Sequence, residues 1–117
     1  YLHSVSGTGT VPTATVRLRI GDQTVQQSAW GDGPVDAAYA AIGLACGTDI
    51  HVENYAIRAI TSGSQALGEV TVHLSRAEEK VRGRGVSTDV IEASAKAYVD
   101  ALNRLVLKSV KEEHQTV

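Results

Sequence analysis

The side chains able to do chemistry are few and scattered. The four histidines are His3, His51, His73 and His114, and no H-x-H or H-E-x-x-H spacing joins any of them. The sequence therefore offers no metal-ligand set. His73 falls on the polar side of an alternating run and reads as solvated surface. The single cysteine, Cys46, closes a helical pattern on its apolar side, where a thiol is more often packed than reactive. One cysteine also excludes an internal disulfide and a thiolate cage for a metal. Ser87 and Asp89 could be joined with a histidine into a triad on paper. Nothing here resembles G-x-S-x-G, however, and both residues stand where turns and helix caps favour them. No catalytic residue and no metal ligand is assigned.

The stretch with the most chemical content is Gly31-Asp32-Gly33-Pro34-Val35-Asp36-Ala37-Ala38. Taken alone it reads first as a strand-to-helix turn. Gly33 suits the N-cap, and Pro34 suits the first helical position, where its missing N–H costs nothing. Asp36 then faces the positive end of the helix dipole. G-x-G-x-x-G fails at Asp36, so this is no dinucleotide fingerprint. The start of a helix nevertheless presents free backbone N–H groups that favour an anion such as a carboxylate. Asp32, in the same turn, could meet an ammonium group. A carboxylate receptor beside an acidic side chain is what an α-amino acid requires. A side chain at Gly33 is expected to crowd this turn. Tyr55, Ala59, Ala66 and Val86, mostly small or apolar, could line a pocket for an aliphatic side chain.

The elements that hold these residues follow from periodicity. Leu2 to Ser6 reads as a short strand, closed by a loop at Gly7 to Pro12. Thr13 to Ile20 alternates, with Ala14, Val16, Leu18 and Ile20 on one face. Gly21-Asp22 turns it into a return strand at about Thr24 to Trp30. A helix follows with Val35, Ala38, Tyr39, Ile42, Ala45 and Cys46 on its apolar face, and Gly47 as C-terminal cap. After a loop at Thr48-Asp49, strands are expected at Glu53 to Ser62, Gly68 to Ser75 and Val81 to Val86. The last hairpin turn is placed at Glu78-Glu79-Lys80. Asp89 caps a second helix, with Glu92 as an acidic capping-box residue. Its stripe is Ile91, Ala95, Tyr98, Leu102, Leu105 and Val106.

The second half repeats the first. At an offset of 56, set by Thr15 and Thr71, Ser6 meets Ser62, Gly7 meets Gly63, Val16 meets Val72 and Leu18 meets Leu74. Val25 meets Val81, and Ala37, Ala41 and Ala45 meet Ala93, Ala97 and Ala101, with no gap needed. The cap Gly33 lands on the cap Asp89. The fold class expected is α+β, two pseudo-symmetric βββα units packed as a sheet/helix sandwich. The units span about 1–47 and 53–107, within one domain at 1–107, and a charged tail fills 108–117. A duplicated surface also invites dimerisation.

Composition sets the outer limits. A chain of 117 residues is one domain with one core's worth of apolar surface. A net charge of −2 argues against nucleic acid as the main partner. Apolar runs are too short for a membrane span, and no signal-peptide pattern opens the chain. A cytoplasmic setting is expected. A start at Tyr1 without methionine suggests a piece of something longer. With no Phe and no Met, small residues must fill the core, so elements should pack closely.

The chain resembles the C-terminal leucine-regulatory domain of α-isopropylmalate synthases, shared with citramalate synthases. The resemblance is carried by Gly31 to Tyr39, by Gly63 with Ala66-Leu67-Gly68-Glu69-Val70, and by Gly85 with Ser87 to Ser94 and Asn103. It extends from Tyr1 to about Leu107. It implies two βββα units that help form a homodimer and bind L-leucine near the interface between two chains. Positions matching the family's pocket are Asp32, Gly33, Val35 and Asp36, then Val52, Tyr55, Ala59 and Ala66, then Val86. Some members carry a carboxamide where this chain has Asp32. The resemblance further implies a separate catalytic barrel in the full-length chain, an acyltransferase that uses a divalent metal and acetyl-CoA, with no cofactor in this domain. An isoleucine-sensing domain of a citramalate synthase and a purely structural dimerisation module are the alternative readings.

Overall fold

The computed structural model describes residues 2–5, 11–46 and 50–115, with the side chains of 5, 62 and 106–115 excepted. The element order is β1 (Leu2–Val5), β2 (Thr13–Ile20), β3 (Gln23–Trp30), α1 (Pro34–Cys46), β4 (Ile50–Ser62), β5 (Gln65–Arg76), β6 (Glu79–Ser87) and α2 (Val90–Gln115). Two antiparallel sheets result, in the orders β1-β2-β3 and β4-β5-β6, each followed by its own helix. The fold is thus α+β and made of two βββα units, as the internal repeat requires. The chain divides into compact units at 1–48 and 49–117.

The repeat is visible in the hydrogen-bond register. The β2–β3 ladder runs from Thr13 opposite Trp30 to Ile20 opposite Gln23. Moved by 56, each of these pairs becomes an observed β5–β6 pair, from Glu69 opposite Val86 to Arg76 opposite Glu79. The first strands break the rule. Leu2 faces Val16, so Arg58 should face Val72, yet Tyr55 does. The ungapped alignment therefore fails at β1 and β4. The first hairpin is three residues shorter than the second, and β4 corresponds to β1 at an offset of 53. The matches Ser6/Ser62 and Gly7/Gly63 and the expected Gly47 cap involve residues outside those described.

In the first unit α1 covers β2 and β3. Ala14 and Val16 are buried against Ala37, Ala38, Tyr39, Ala41 and Ile42. Val35, Ala45 and Cys46 are only half-buried, and Ile20, expected on the inner face, is exposed at the strand's end. In the second unit α2 lies on β5 and β6, over Val70, Val72, Leu74 and Val81. Here the expected stripe is corrected. The buried face of α2 is Ala93, Ser94, Ala97, Tyr98, Ala101 and Leu105, while Ile91, Ala95 and Leu102 are half-buried. The large apolar residues misled the periodicity. The helix turns its small residues to the sheet because β6 has glycines there. A Cβ on Gly83 would lie 2.1 Å from the Ala97 carbonyl oxygen, and one on Gly85 2.2 Å from that of Ala93. The helix backbone sits directly on the strand, the close packing expected of a core without Phe or Met.

The last hairpin turn is also corrected. It is Ala77-Glu78, and Glu79 and Lys80 already pair with Arg76 and Ser75. Ala77 takes the left-handed conformation (φ 56°) that Gly21 occupies in the first unit (φ 62°). Strands β4 and β5 begin earlier than expected, at Ile50 and Gln65, and α2 continues into the charged stretch as far as Gln115.

Candidate functional site

The turn into α1 is built on two glycines with different duties. The Gly31 amide donates to the Pro12 carbonyl (3.1 Å), extending the β2–β3 ladder by one bond. A Cβ on Gly31 would stand 2.6 Å from the Ala37 nitrogen, so only glycine lets the helix start fold back on the strand. Gly33 is the N-cap, its carbonyl accepting from the Ala37 amide at 2.9 Å. It has no side chain to satisfy the first N–H groups of the helix. Among the described residues no side-chain oxygen caps Val35 or Asp36. A Cβ on Gly33 would meet only Asp36 Oδ2, at 3.7 Å. The expected crowding at Gly33 is not found at the first side-chain atom: a Cβ fits there, and what glycine provides is bare donors. Asp32 and Asp36 are exposed on either side, and Gly33 and Val35 are half-buried.

The turn into α2 follows the same path and closes its donors. Asp89 Oδ1 accepts from the Ile91 amide (2.8 Å) and the Glu92 amide (3.3 Å). The Asp89 amide donates to Ser87 Oγ at 3.2 Å. The reciprocal bond expected of Glu92 is thus supplied by Ser87. Glu92 instead pairs with Lys96 (3.1 Å), one helical turn on.

The remaining candidates lie on the second sheet. Facing residues in neighbouring strands share a side. Val70, Val72 and Leu74 point to α2, so Ile57, Tyr55 and Val52, opposite them, share that side, as do Ala59 opposite Gly68 and Thr61 opposite Ala66. The helix covers β5 and β6 but leaves β4 open: Val52, Tyr55 and Ile57 are 38%, 37% and 49% exposed. Val52, Tyr55, Ala59 and Ala66 are thereby brought to one apolar, accessible face. Val86 is not. It faces Glu69 on the opposite side of the sheet.

The comparisons with known proteins agree with this architecture. Residues 1–106 match the model of the LeuA allosteric (dimerisation) domain. The chain belongs to this family. It is 53% identical over 106 residues to the 2-isopropylmalate synthase of Heliobacterium modesticaldum, covering 91% of this chain and 21% of the relative. The corresponding enzyme of Pelotomaculum thermopropionicum is 49% identical over 112 residues (95% and 22%). That of Pyrococcus furiosus is 48% identical over 105 residues (89% and 21%). The LeuA domain described here therefore spans about a fifth of the length of these curated relatives.

Two features of this LeuA domain escaped the sequence reading. Ile57 shares the open face with Tyr55 and Ala59, and alternation along β4 would have included it. On the other side of the sheet Glu69 is nearly buried. Its carboxylate accepts from Arg84 Nε at 2.8 Å and from Arg84 Nη2, and pairs with Arg58 at 3.3 Å. The hydrogen bonds from Arg84 hold its pKa below the ordinary carboxylate value against the opposing effect of burial, with Arg58 helping. Cys46, half-buried, has its thiol pushed up by burial, away from the reactive thiolate. No group of three or more His, Cys, Asp or Glu among the described residues could hold a metal, and no described helix is long and apolar enough to cross a membrane.

Proposed function

We propose that the chain is the L-leucine-sensing domain of a 2-isopropylmalate synthase, acting in feedback inhibition of leucine biosynthesis. The observation that carries this reading is the uncapped start of α1. The amino acid's carboxylate meets the free N–H groups after Gly33, where the helix dipole favours a negative charge. Its ammonium meets Asp32 or nearby carbonyl oxygens. In the second unit, taken by itself, the open face of β4 with Val52, Tyr55 and Ala59, beside Ala66, is an apolar surface whose chemistry suits an aliphatic side chain. Val86, on the other side of the sheet, contributes to a wall only from there.

In this proposal the domain works as a homodimer in the cytoplasm. Catalysis belongs to a separate barrel of the full-length chain, which handles the divalent metal and acetyl-CoA. Leucine inhibits by binding one state of the enzyme better than the other, since equal binding to both would shift nothing. Kinship with 2-isopropylmalate synthases favours leucine over isoleucine. Titration calorimetry on the full-length protein is the test: saturable heat with leucine, competed poorly by isoleucine, is expected. No heat at millimolar leucine in a verified dimer would leave the structural dimerisation module as the better reading. Stronger binding of isoleucine would point to the citramalate synthase alternative.

A further inference from the structure

Val52 joins the open face of β4 because of one irregularity. Val52 faces Leu74 and Asn54 faces His73, so Glu53 is an extra residue with no partner on β5. Side chains in a strand alternate, so Val52 and Tyr55, three apart, should point to opposite sides. The bulge adds one residue and puts both on the side of Ile57 and Ala59. Without it, a one-residue slip of Ile50 to Val52 would restore alternation and turn Val52 to the far side. The extra residue is tied down. The Ser75 hydroxyl, on a residue only 5% exposed, donates to Glu53 Oε1 at 2.5 Å. Ser75 faces His51, on the side of the sheet away from α2.

We propose that the Glu53–Ser75 hydrogen bond is a register pin, and that Glu53 is a positioning residue for the leucine site that acts through Val52. The pin rests on the leucine-sensing reading given above. It touches no ligand. It selects the bulged register over the continuous one, and so decides whether the side chain of Val52 stands beside that of Tyr55. An amide oxygen can accept the Ser75 hydroxyl as a carboxylate oxygen does, whereas a methyl group cannot.

The test is leucine titration of the full-length protein in four variants: Glu53→Gln, Glu53→Ala, Val52→Ala and the double variant Glu53→Ala/Val52→Ala. Glu53→Gln should bind as the unmodified protein does. Glu53→Ala should weaken leucine about tenfold, the scale set by losing one apolar contact. In the double variant Glu53→Ala should add nothing further, because the side chain it positions is gone. Unchanged affinity in Glu53→Ala would overturn the pin. So would an equal loss with and without Val52, which marks a merely structural role. The unmodified protein separates the two ideas: if it takes up no leucine, the leucine-sensing reading fails and the pin falls with it. If it binds and only the variants disagree, the pin alone fails. Deletion of Glu53 sets Val52 two residues before Tyr55, so alternation alone keeps both on one side and leucine affinity should survive it. Should that variant not fold, the substitutions still decide the matter.

Discussion

The two helix starts follow one backbone plan and differ at its decisive position, Gly33 in α1 and Asp89 in α2. At α2 the carboxylate of Asp89 sits on the Ile91 and Glu92 amides, and Ser87 sits on the amide of Asp89 itself. The anion that a helix start attracts is built into the chain. At α1 the same donors follow a residue without a side chain, between exposed Asp32 and Asp36. A duplicated unit has thus diverged: one copy carries its own cap, and the other leaves its first helical donors bare. Glycine at the N-cap in place of aspartate costs a few tenths of a kcal/mol. In the proposed function leucine restores that contribution when it binds.

The halves also differ in the residues that lie beneath the helix. Gly85 of the second unit has Ala29 as its counterpart in the first, and a Cβ on Gly85 would lie 2.2 Å from the Ala93 carbonyl oxygen. Backbone cannot yield as a flexible side chain does, so Gly85→Ala should cost about 3 kcal/mol of unfolding free energy in urea. The reverse change, Ala29→Gly, should cost no more than about 1 kcal/mol, the ordinary loss for glycine in a strand. Equal costs would mean that the two helices seat alike and that the glycines of β6 do not set the approach.

Exchanging the caps tests the main comparison. Gly33→Asp gives α1 the residue that α2 already has, and a Cβ there meets nothing nearer than Asp36 Oδ2 at 3.7 Å. Its carboxylate should take the Val35 and Asp36 amides and repel an incoming carboxylate, weakening leucine about a hundredfold, on the scale of misplacing one charge in a binding site. Stability should rise by a few tenths of a kcal/mol, since glycine is only slightly worse at this position. The pairing of better stability with lost binding separates competition for donors from damage to the turn. Normal leucine sensitivity in this variant would remove the α1 start from the site. A fall in both properties would restore the crowding explanation.

What the sequence disclosed and what it hid have separate physical causes. Caps, turns and alternating strands are local, and Gly33, Pro34, Asp89 and the runs of β2 and β5 could be read from neighbours alone. The repeat carried the architecture, because matched caps and strands place βββα twice. Three features were hidden because they depend on contacts remote in sequence. The buried face of α2 is set by Gly83 and Gly85, and a count of large apolar residues finds Tyr98 and Leu105 but misses Ala93, Ala97 and Ala101. The three-residue difference between β1 and β4 shows only when strands are paired. The bulge at Glu53 leaves no mark until Ser75, 22 residues on, is brought beside it. Of the site, the helix start was legible. Tyr55, Ala59 and Ala66 of the apolar face were legible as small or apolar side chains, Val52 only through family resemblance, and both readings set Val86 with residues that the sheet puts on its other side.

The outer faces of the two sheets offer the smallest effect and a comparison in pH. In the first unit the central pairs are neutral or singly charged: Thr15 and Ser28 share a hydroxyl hydrogen bond of 2.7 Å, and Arg17 donates to Gln26. In the second, Glu69 takes the place of Thr13 and is held by Arg84 and Arg58. Since folding lowers the pKa of Glu69, the ionised form is favoured in the folded state. Its contribution is complete above the unfolded value of about 4.3 and is lost as pH falls through the lower folded value. Both arginines are more than half exposed, so solvent and salt weaken the effect. Glu69→Gln should therefore unfold at lower urea than the unmodified protein at pH 7 and low salt. The gap should narrow as the pH is lowered from about 4, where the unmodified carboxylate begins to protonate on unfolding. Thr13→Val, at the matching place, should show the same difference at every pH. A gap for Glu69→Gln that stays constant under acid would mean that the carboxylate is held by shape and hydrogen bonding alone, and the two outer faces would then differ in composition but not in electrostatics.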